Sequence, residues 1–293
     1  MIPKELLKAL RKLEITTNRL ANDQLAGSYT SGFKGQGLAF REVRQYLPGD
    51  DIRAIDWNVS ARMDDAYIKV FVEEREMTVM LCVDISRSET FGTQTSNKAR
   101  LAAEVGALCA FSAIKNNDRV GLILFSDKVE KIVPPQKGQK HAMRVIREIL
   151  SAQPTGSGTN ISSGLHTLAK ASHRRCVAFL LSDFYDTEYE RALSIVAARH
   201  DLVPILLADP RDEELPDVGL ATFEDLETGE HVIVDTSSAE VRRAYADAMA
   251  AQRDVHLKLF KKFGLDHCVV RTDKPYVRPL RDLFARRAKR AHR

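Results

Sequence analysis

Carboxylate and hydroxyl side chains follow two apolar segments of the sequence and are the residues best suited to chemistry. Asp84, Ser86 and Ser88 form a DxSxS pattern at the end of the run MTVMLCVD, and Asp183 ends the run RCVAFLLSD. Thr159 lies between them along the chain, in the Gly/Ser-rich segment PTGSGTNIS. Oxygen donors of this kind are the ligands that Mg²⁺ and Mn²⁺ prefer. We therefore predict that these five residues hold one divalent cation if the fold brings them together.

The segments around these residues predict the fold that would do so. Near-continuous apolar runs are typical of strands that are buried on both faces. Four such runs alternate with helical patterns: 77–84, 119–126, 175–183 and 202–208. This alternation predicts an α/β fold with a doubly wound, mostly parallel sheet. Functional crevices of such sheets lie beyond the carboxyl ends of the strands, so Asp84 and Asp183 should face each other there.

The rest of the chain predicts smaller elements around this sheet. The segment 128–133 predicts a short strand that ends before Pro134, and 215–236 predicts an inserted hairpin around ETGE. The predicted domains are listed here: 1–75, an N-terminal helix and a small β-rich subdomain; 76–271, the α/β domain; 272–293, a basic C-terminal helix. In residues 3–14, leucines recur on one helical face, which predicts a surface helix.

A charge-dense stretch, 41–62, contains the only tryptophan, Trp57, and also Tyr46. Opposite charges at this density favour a structural ion-pair network. A partner-docking surface centred on Trp57 and Tyr46 is the functional interpretation, because Trp, Tyr and Arg dominate interface hot spots. Arg87, inside the DxSxS pattern, would lie at the rim of the cation site. There it could steer an acidic ligand toward the ion, or it could face solvent.

Composition excludes several classes of protein. The 44 Lys and Arg residues against 40 Asp and Glu give a net charge of +4, which does not indicate a general nucleic-acid binder. No apolar run is long enough to span a membrane, and the N-terminus lacks the apolar core of a signal peptide. None of the four cysteines forms a CxxC pair, which indicates buried thiols in a reducing compartment. We therefore expect a cytoplasmic location.

The site pattern resembles a known one. DISRS, Thr159 in GSGTN and Asp183 in LLSDF are similar to the metal-ion-dependent adhesion site of von Willebrand factor A domains. The resemblance covers about residues 76–271 and implies a Rossmann-like fold. It also implies that Ser86, Ser88 and Thr159 bind the ion directly, while Asp84 and Asp183 contribute directly or through water.

A second resemblance covers nearly the whole chain. The segments 40–62 and 209–230, together with the DxSxS site, resemble a bacterial domain-of-unknown-function family, number fifty-eight. Members of this family resemble partners of MoxR-type AAA+ ATPases, which implies a role in remodelling or maturing other proteins. Many relatives carry transmembrane helices, which this sequence lacks. We therefore expect a metal-dependent, non-enzymatic interaction module in which an acidic side chain of a partner completes the coordination of the ion.

Two alternatives remain open at the level of sequence. The first is a Mg²⁺-dependent hydrolase of unrecognised type. Haloacid-dehalogenase-type phosphatases need a second Asp as acid/base, two positions after the first, and Ser86 stands there instead. The second is an RNA-associated adaptor. The chain from Arg271 to its end carries nine basic and two acidic residues, and such a charge excess could contact phosphates. A solvated terminal helix, or one that docks on an acidic partner, explains the same charges.

Overall fold

The computed structural model describes residues 39–63, 65–72, 76–86, 97–156, 158–224 and 231–291. The described residues divide into two compact units, one within 34–77 and the other from Thr78 onward. The helix predicted for residues 3–14 lies outside the described residues. Domain boundaries at 75 and 271 stay a prediction.

The smaller unit is built on an antiparallel strand pair. Strand β1 (Ala39–Gln45) pairs with strand β2 (Tyr67–Val72), and the four-residue helix α1 (Trp57–Ser60) lies between them in sequence. The β-branched and aromatic residues of YIKVFV explain β2. The Asp56 carboxylate accepts hydrogen bonds from the amides of Asn58 and Val59 and so caps α1.

The larger unit contains a six-stranded sheet in the order β10-β7-β6-β3-β4-β5. Its strands are listed here: β3 (Thr78–Asp84), β4 (Arg119–Phe125), β5 (Val129–Gln136), β6 (Val177–Ser182), β7 (Asp201–Ala208) and β10 (Cys268–Arg271). All adjacent pairs are parallel except β4 and β5. The predicted doubly wound, mostly parallel α/β fold is therefore confirmed.

Helices cover both faces of this sheet. They are listed here: α2 (Lys98–Lys115), α3 (Gln139–Leu150), α4 (Ile161–Ala171), α5 (Glu190–Arg199), α6 (Pro210–Glu213), α7 (Ala239–Lys262) and α8 (Val277–Ala291). On one face Gly106 of α2 approaches Leu81 and Ile149 of α3. On the other face Met80 belongs to a buried cluster that includes Leu165 of α4 and Phe260 of α7. Alternate residues of β3 thus enter different cores, which explains its continuous apolar sequence.

Strand β5 is longer than the sequence predicts. It continues through Pro134 and Pro135 to Gln136, whereas the prediction ended it at residue 133. Proline cannot donate a hydrogen bond to a neighbouring strand, but β5 is an edge strand and has a neighbour on one side only. The pairing register also shifts between Val120 and Leu122 of β4, opposite these prolines.

The two elements predicted for the C-terminal part are present. Strands β8 (Leu220–Glu224) and β9 (His231–Asp235) pair antiparallel, which confirms the hairpin predicted for 215–236. Leu283 and Phe284 of helix α8 are fully buried, and the Phe284 ring lies 6.3 Å from the Phe179 ring. The Arg287 guanidinium pairs with Asp201 and Asp266. Much of the basic C-terminal charge therefore lies on a packed helix. No helix among the described ranges is long and apolar enough to span a bilayer.

Candidate functional site

The candidate site lies where the chain reverses its direction across the sheet. From β3 the chain builds β4 and β5 on one side and then β6, β7 and β10 on the other, so β3 and β6 are neighbours at the reversal. Asp84 is the last residue of β3, and Asp183 follows the last residue of β6. Ligands of open α/β sheets bind at this switch point, beyond the carboxyl ends of the strands.

Asp84 is almost completely buried and accepts two short hydrogen bonds. Its Oδ1 atom accepts from the Ser86 amide at 2.9 Å, and its Oδ2 atom accepts from Ser182 Oγ at 2.6 Å. Only 1% of Asp84 is exposed to solvent. The first bond explains the DxS spacing, because a carboxylate can reach the amide two residues ahead in a turn that follows a strand.

Burial makes the Asp84 carboxyl hard to ionise. Burial raises the pKa of the Asp84 carboxyl to about 7, and the nearby Asp183 carboxylate adds to this increase. Hydrogen bonds from Ser182 and Ser86 lower the pKa but do not cancel the effect. Two carboxylates at one buried edge disfavour full ionisation of both. A cation held there would restore the charge balance.

Asp183 already has a buried cationic partner, Lys98. The Lys98 ammonium lies 2.7 Å from Asp183 Oδ2 and 3.0 Å from Asp212 Oδ2. The side chains of Lys98 and Asp183 are each 1% exposed. The ammonium also lies 5.2 Å from the centre of the Tyr185 ring. Lys98, the first residue of α2, therefore joins that helix to the ends of β6 and β7.

The chain leaves β6 through a strained turn. Phe184 is fully buried and has a φ of 62°, in the left-handed region that aromatic residues rarely adopt. Its amide donates to Ser182 Oγ at 2.9 Å, while the same hydroxyl donates to Asp84. Ser182 thus connects the strained turn to the Asp84 carboxylate. Strain of this kind is retained where the surrounding structure holds it in place, often at functional sites.

Thr159 is held between the ends of two strands. The amide of the next residue, Asn160, donates to the Ser126 carbonyl just after β4, at 2.8 Å. The Ile161 amide donates at 2.8 Å to Asp186, in the loop after β6. Because β3 lies between β4 and β6, this segment crosses the carboxyl edge of the sheet close to the end of β3.

Glu130 holds the loop that leads to Thr159. Its carboxylate accepts hydrogen bonds from the Thr155 amide at 2.9 Å, the Thr155 hydroxyl at 2.8 Å and the Gly156 amide at 3.2 Å. A Cβ atom at Gly156 would lie 1.6 Å from Asp127 Oδ1, so this position needs glycine unless Asp127 moves. The glycine at position 156 therefore has a steric cause.

The structure places the predicted site residues as follows. Asp84, Ser86 and Asp183 lie together at the carboxyl edge of the sheet, and Thr159 lies on the segment that crosses this edge. Ser88 and Arg87 lie outside the described residues. Their predicted roles, and the assignment of the whole set as metal ligands, stay predictions.

The predicted docking residues belong to the smaller unit. Trp57 is 69% exposed, and Tyr46 is half-buried, with its amide donating to the Ala66 carbonyl. Their role in binding a partner stays a prediction. Near them, Arg44 and Asp50 form a two-pronged ion pair with N–O distances of 2.8 and 2.7 Å. This pair is one ion pair of the kind that the charge density of 41–62 favours.

Sequence reasoning missed Lys98, Asp212 and the role of Ser182. One signal for Lys98 was present, because it falls on the same helical face as Leu101, Ala102 and Val105, which are buried. A lysine on an apolar face of a helix needs a buried partner. Asp212 gives no such signal, because its position depends on how the chain turns after β7.

The donor set fits a hard divalent cation. Asp84, Ser86, Thr159 and Asp183 offer only oxygen atoms, and burial together with the Asp183 carboxylate raises the pKa of Asp84. Within the described part of the chain, no group of three or more His, Cys, Asp or Glu side chains could hold a metal ion. A cation here would therefore depend on hydroxyl ligands as much as on carboxylates.

Comparison with known sequences identifies the class of protein to which this chain belongs. Residues 42–255 match the family described as "Protein of unknown function DUF58", and the chain belongs to that family. It is 32% identical to the uncharacterized protein Rv1480 of Mycobacterium tuberculosis over 277 residues, 93% of this chain and 87% of that protein. It is also 27% identical to YeaD of Bacillus subtilis over 173 residues, covering 59% of this chain and 40% of YeaD.

Solved structures similar to this chain include BatB from Bacteroides thetaiotaomicron, described as a conserved hypothetical protein. BatB is 16% identical, with a TM-score of 0.46, and the match covers 73% of this chain and 99% of BatB. A second is the SpRpn10 VWA domain, which is 13% identical with a TM-score of 0.35. That match covers 46% of this chain and 76% of the domain.

Proposed function

We propose that this protein is a metal-dependent, non-enzymatic protein-interaction module. Asp84, Ser86, Ser88, Thr159 and Asp183 would hold one Mg²⁺ or Mn²⁺ ion at the carboxyl edge of the sheet. An acidic side chain of a partner would take an open position on the ion. Hydroxyl ligands leave more positive charge on a cation than carboxylate ligands do, so the ion would retain affinity for that side chain.

One observation carries this proposal. Asp84 and Asp183 meet at the switch point of the sheet, and burial together with the neighbouring carboxylate raises the pKa of Asp84 to about 7. A pair of buried carboxylates has an energetic cost unless positive charge offsets it. Lys98 offers one positive charge at Asp183, and a bound divalent cation would add the charge that both carboxylates need to stay ionised.

The partner class that we propose is a MoxR-type AAA+ ATPase or its client. This part of the proposal rests on the family resemblance, since the family itself is described as one of unknown function. The exposed Trp57 ring offers a second contact surface for such a partner. The proposed location is the cytoplasm, because all four cysteines are buried free thiols, as in proteins of reducing compartments.

Titration calorimetry of the full chain with Mg²⁺ and with Mn²⁺ tests the metal site. We expect one bound ion in the wild type. Asp84→Asn and Asp183→Asn should each weaken binding by about tenfold or more, because each removes a carboxylate that binds or orients the ion's ligands. The double change Asp84→Ala with Ser86→Ala should abolish binding.

Asp118→Asn is the matched control for these variants. Asp118 is also fully buried, but it precedes β4 and therefore lies at the opposite edge of the sheet. Its substitution should leave cation affinity unchanged. Wild-type affinity in the Asp84→Ala, Ser86→Ala double variant would contradict the proposed site.

A turnover assay separates this function from a hydrolase. The full chain with Mg²⁺ should show no metal-dependent turnover of a general phosphatase substrate such as p-nitrophenyl phosphate. Ser86 stands where the phosphatase pattern needs an acid/base carboxylate. Metal-dependent turnover that is lost in Asp84→Asn would contradict the non-enzymatic function and would indicate an enzyme.

A further inference from the structure

The most unusual feature of the candidate site is a buried lysine between two carboxylates. Lys98 is 1% exposed, and its ammonium contacts Asp183 Oδ2 at 2.7 Å and Asp212 Oδ2 at 3.0 Å. A cation that binds at Asp183 must approach a carboxylate that already has a cationic partner. The ammonium and the metal ion would therefore repel each other and compete for the same oxygen atoms.

The three carboxylates and the lysine of this cluster have a net charge of about −2 when all are ionised, which a divalent ion would neutralise. Asp84, Asp183 and Asp212 together carry three negative charges when ionised, and Lys98 carries one positive charge. Two negative charges remain uncompensated among these four side chains. Lys98 therefore offsets only part of the carboxylate charge.

Asp212 offers the lysine a second place to pair. Asp212 lies in α6, directly after β7, and its Oδ2 atom also accepts from the Asp209 amide at 3.3 Å. Asp209 is fully buried and accepts hydrogen bonds from the Arg211 amide and the Thr272 hydroxyl. Asp212 is thus held in place within hydrogen-bonding distance of the ammonium. Lys98 could release Asp183 and keep Asp212 without a large movement of either helix.

We propose that Lys98 is an internal counter-ion of Asp183, and that a divalent cation displaces it from Asp183 and leaves it paired with Asp212. This inference rests on the proposed metal site and assigns its regulation to Lys98 and Asp212. The exchange lowers the cation affinity of the free protein, because the ion must first compete with the ammonium. It also couples cation binding to the α6 segment, because Asp212 becomes the carboxylate of the two that keeps the lysine.

Calorimetric titration of full-chain variants with Mn²⁺ tests the exchange. Lys98→Met should bind Mn²⁺ about tenfold more tightly than the wild type, the change that corresponds to about 1.4 kcal/mol of lost competition. Asp212→Asn should bind more weakly, because Lys98 then has Asp183 as its remaining carboxylate partner of the two. Glu213→Gln is the matched control, since Glu213 pairs with Arg253 and Arg271. Its affinity should stay near the wild-type value.

A double-mutant cycle separates the exchange from a general charge effect. In the Lys98→Met background, Asp212→Asn should have little effect, because no lysine remains to be displaced. Equal effects of Asp212→Asn in both backgrounds would overturn the proposal. If Lys98→Met does not fold, an Asp212→Asn variant that binds as tightly as Glu213→Gln would overturn it instead.

The outcomes also distinguish this inference from the proposed function. If neither the wild type nor Lys98→Met binds Mn²⁺, both the proposed metal site and the proposed exchange are contradicted. If the wild type binds and Lys98→Met binds equally well, the metal site stands and the role of Lys98 is wrong. Tighter binding by Lys98→Met supports both.

Discussion

Two ion pairs of the same length lie in very different surroundings. Lys98–Asp183 and Arg44–Asp50 both have a closest N–O distance of 2.7 Å. The first pair has both side chains 1% exposed, whereas Arg44 is 41% and Asp50 is 19% exposed. Water screens the second pair, while the first has no water to replace a lost partner. We therefore expect loss of one partner to cost more in the buried pair than in the exposed one.

The largest effect expected from this comparison is that of Lys98→Met in the absence of divalent cations. The substitution leaves the buried Asp183 carboxylate without its ammonium partner, and breaking a buried pair in this way costs about 3–5 kcal/mol. Urea denaturation of the wild type and the variant measures the loss. Added Mg²⁺ should restore part of it. A loss no larger than that of Arg44→Ala would show that the two pairs do not differ.

The two regions should also respond to pH in opposite directions. The pKa of Asp84 is raised to about 7, so between about pH 4 and pH 7 the folded state binds more protons than the unfolded state. Its contribution to stability is therefore present at low pH and is lost as pH rises, by at most about 1.4 kcal/mol per pH unit. The Arg44 guanidinium lowers the pKa of Asp50, so the contribution of Asp50 is lost as pH falls.

Denaturation midpoints of the metal-free chain from about pH 4.5 to 7.5 test this difference. In the Asp84→Asn variant, the loss of stability that Asp84 causes as pH rises from about 4.5 to 7.5 should be absent. The Asp50→Asn variant should retain that loss. An identical pH profile for Asp84→Asn and the wild type would mean that Asp84 titrates normally in the folded protein.

Two serine–aspartate hydrogen bonds of equal length also differ in burial. Ser182 Oγ donates to Asp84 at 2.6 Å in the buried site, and Ser237 Oγ donates to Asp235 at 2.6 Å on the exposed end of the hairpin. Ser182→Ala should lower the free energy of unfolding by about 1–3 kcal/mol, because a buried carboxylate loses a donor. Ser237→Ala should leave the urea midpoint close to that of the wild type. Equal losses would contradict the distinction.

The smallest effect is expected for Arg44→Ala in the smaller unit. Asp50 keeps its hydrogen bond from the Leu47 amide and gains access to water when the guanidinium is removed. We expect little change in the thermal unfolding midpoint, and less at high salt, because exposed pairs are screened. A large, salt-independent destabilisation would show that this pair is also isolated from water.

The sheet was predictable because its strands are buried on both faces. The continuous apolar segments that form β3, β4, β6 and β7 are compatible with few folds other than a parallel sheet covered on both faces. The predicted ends of these strands lie within about two residues of the observed ones. Strand β5 was predicted too short, because the effect of proline depends on whether a strand has a neighbour on each side. An edge position is a property of the tertiary fold and cannot be read from the local sequence.

The candidate site was predictable in part for the same reason. Asp84 and Asp183 follow strands, and the topology of parallel sheets brings such residues to one edge. The contacts of Lys98 could not be derived, because they depend on where α2 begins relative to β6 and β7. The role of Ser182 could not be predicted from the sequence either. It is the last residue of a buried strand, and only its tertiary neighbour gives its hydroxyl a role.

A crystal of the full chain grown with Mn²⁺ would locate the ion that Asp84, Ser86, Thr159 and Asp183 are proposed to hold. Anomalous scattering should show one strong peak at the carboxyl edge of the sheet, with Ser86 and Thr159 oxygens about 2.0–2.3 Å from it, as expected for a small divalent ion with oxygen ligands. Asp84 and Asp183 should lie beside that peak. A peak elsewhere, or none at saturating Mn²⁺ with Asp183 still paired to Lys98, would contradict the account.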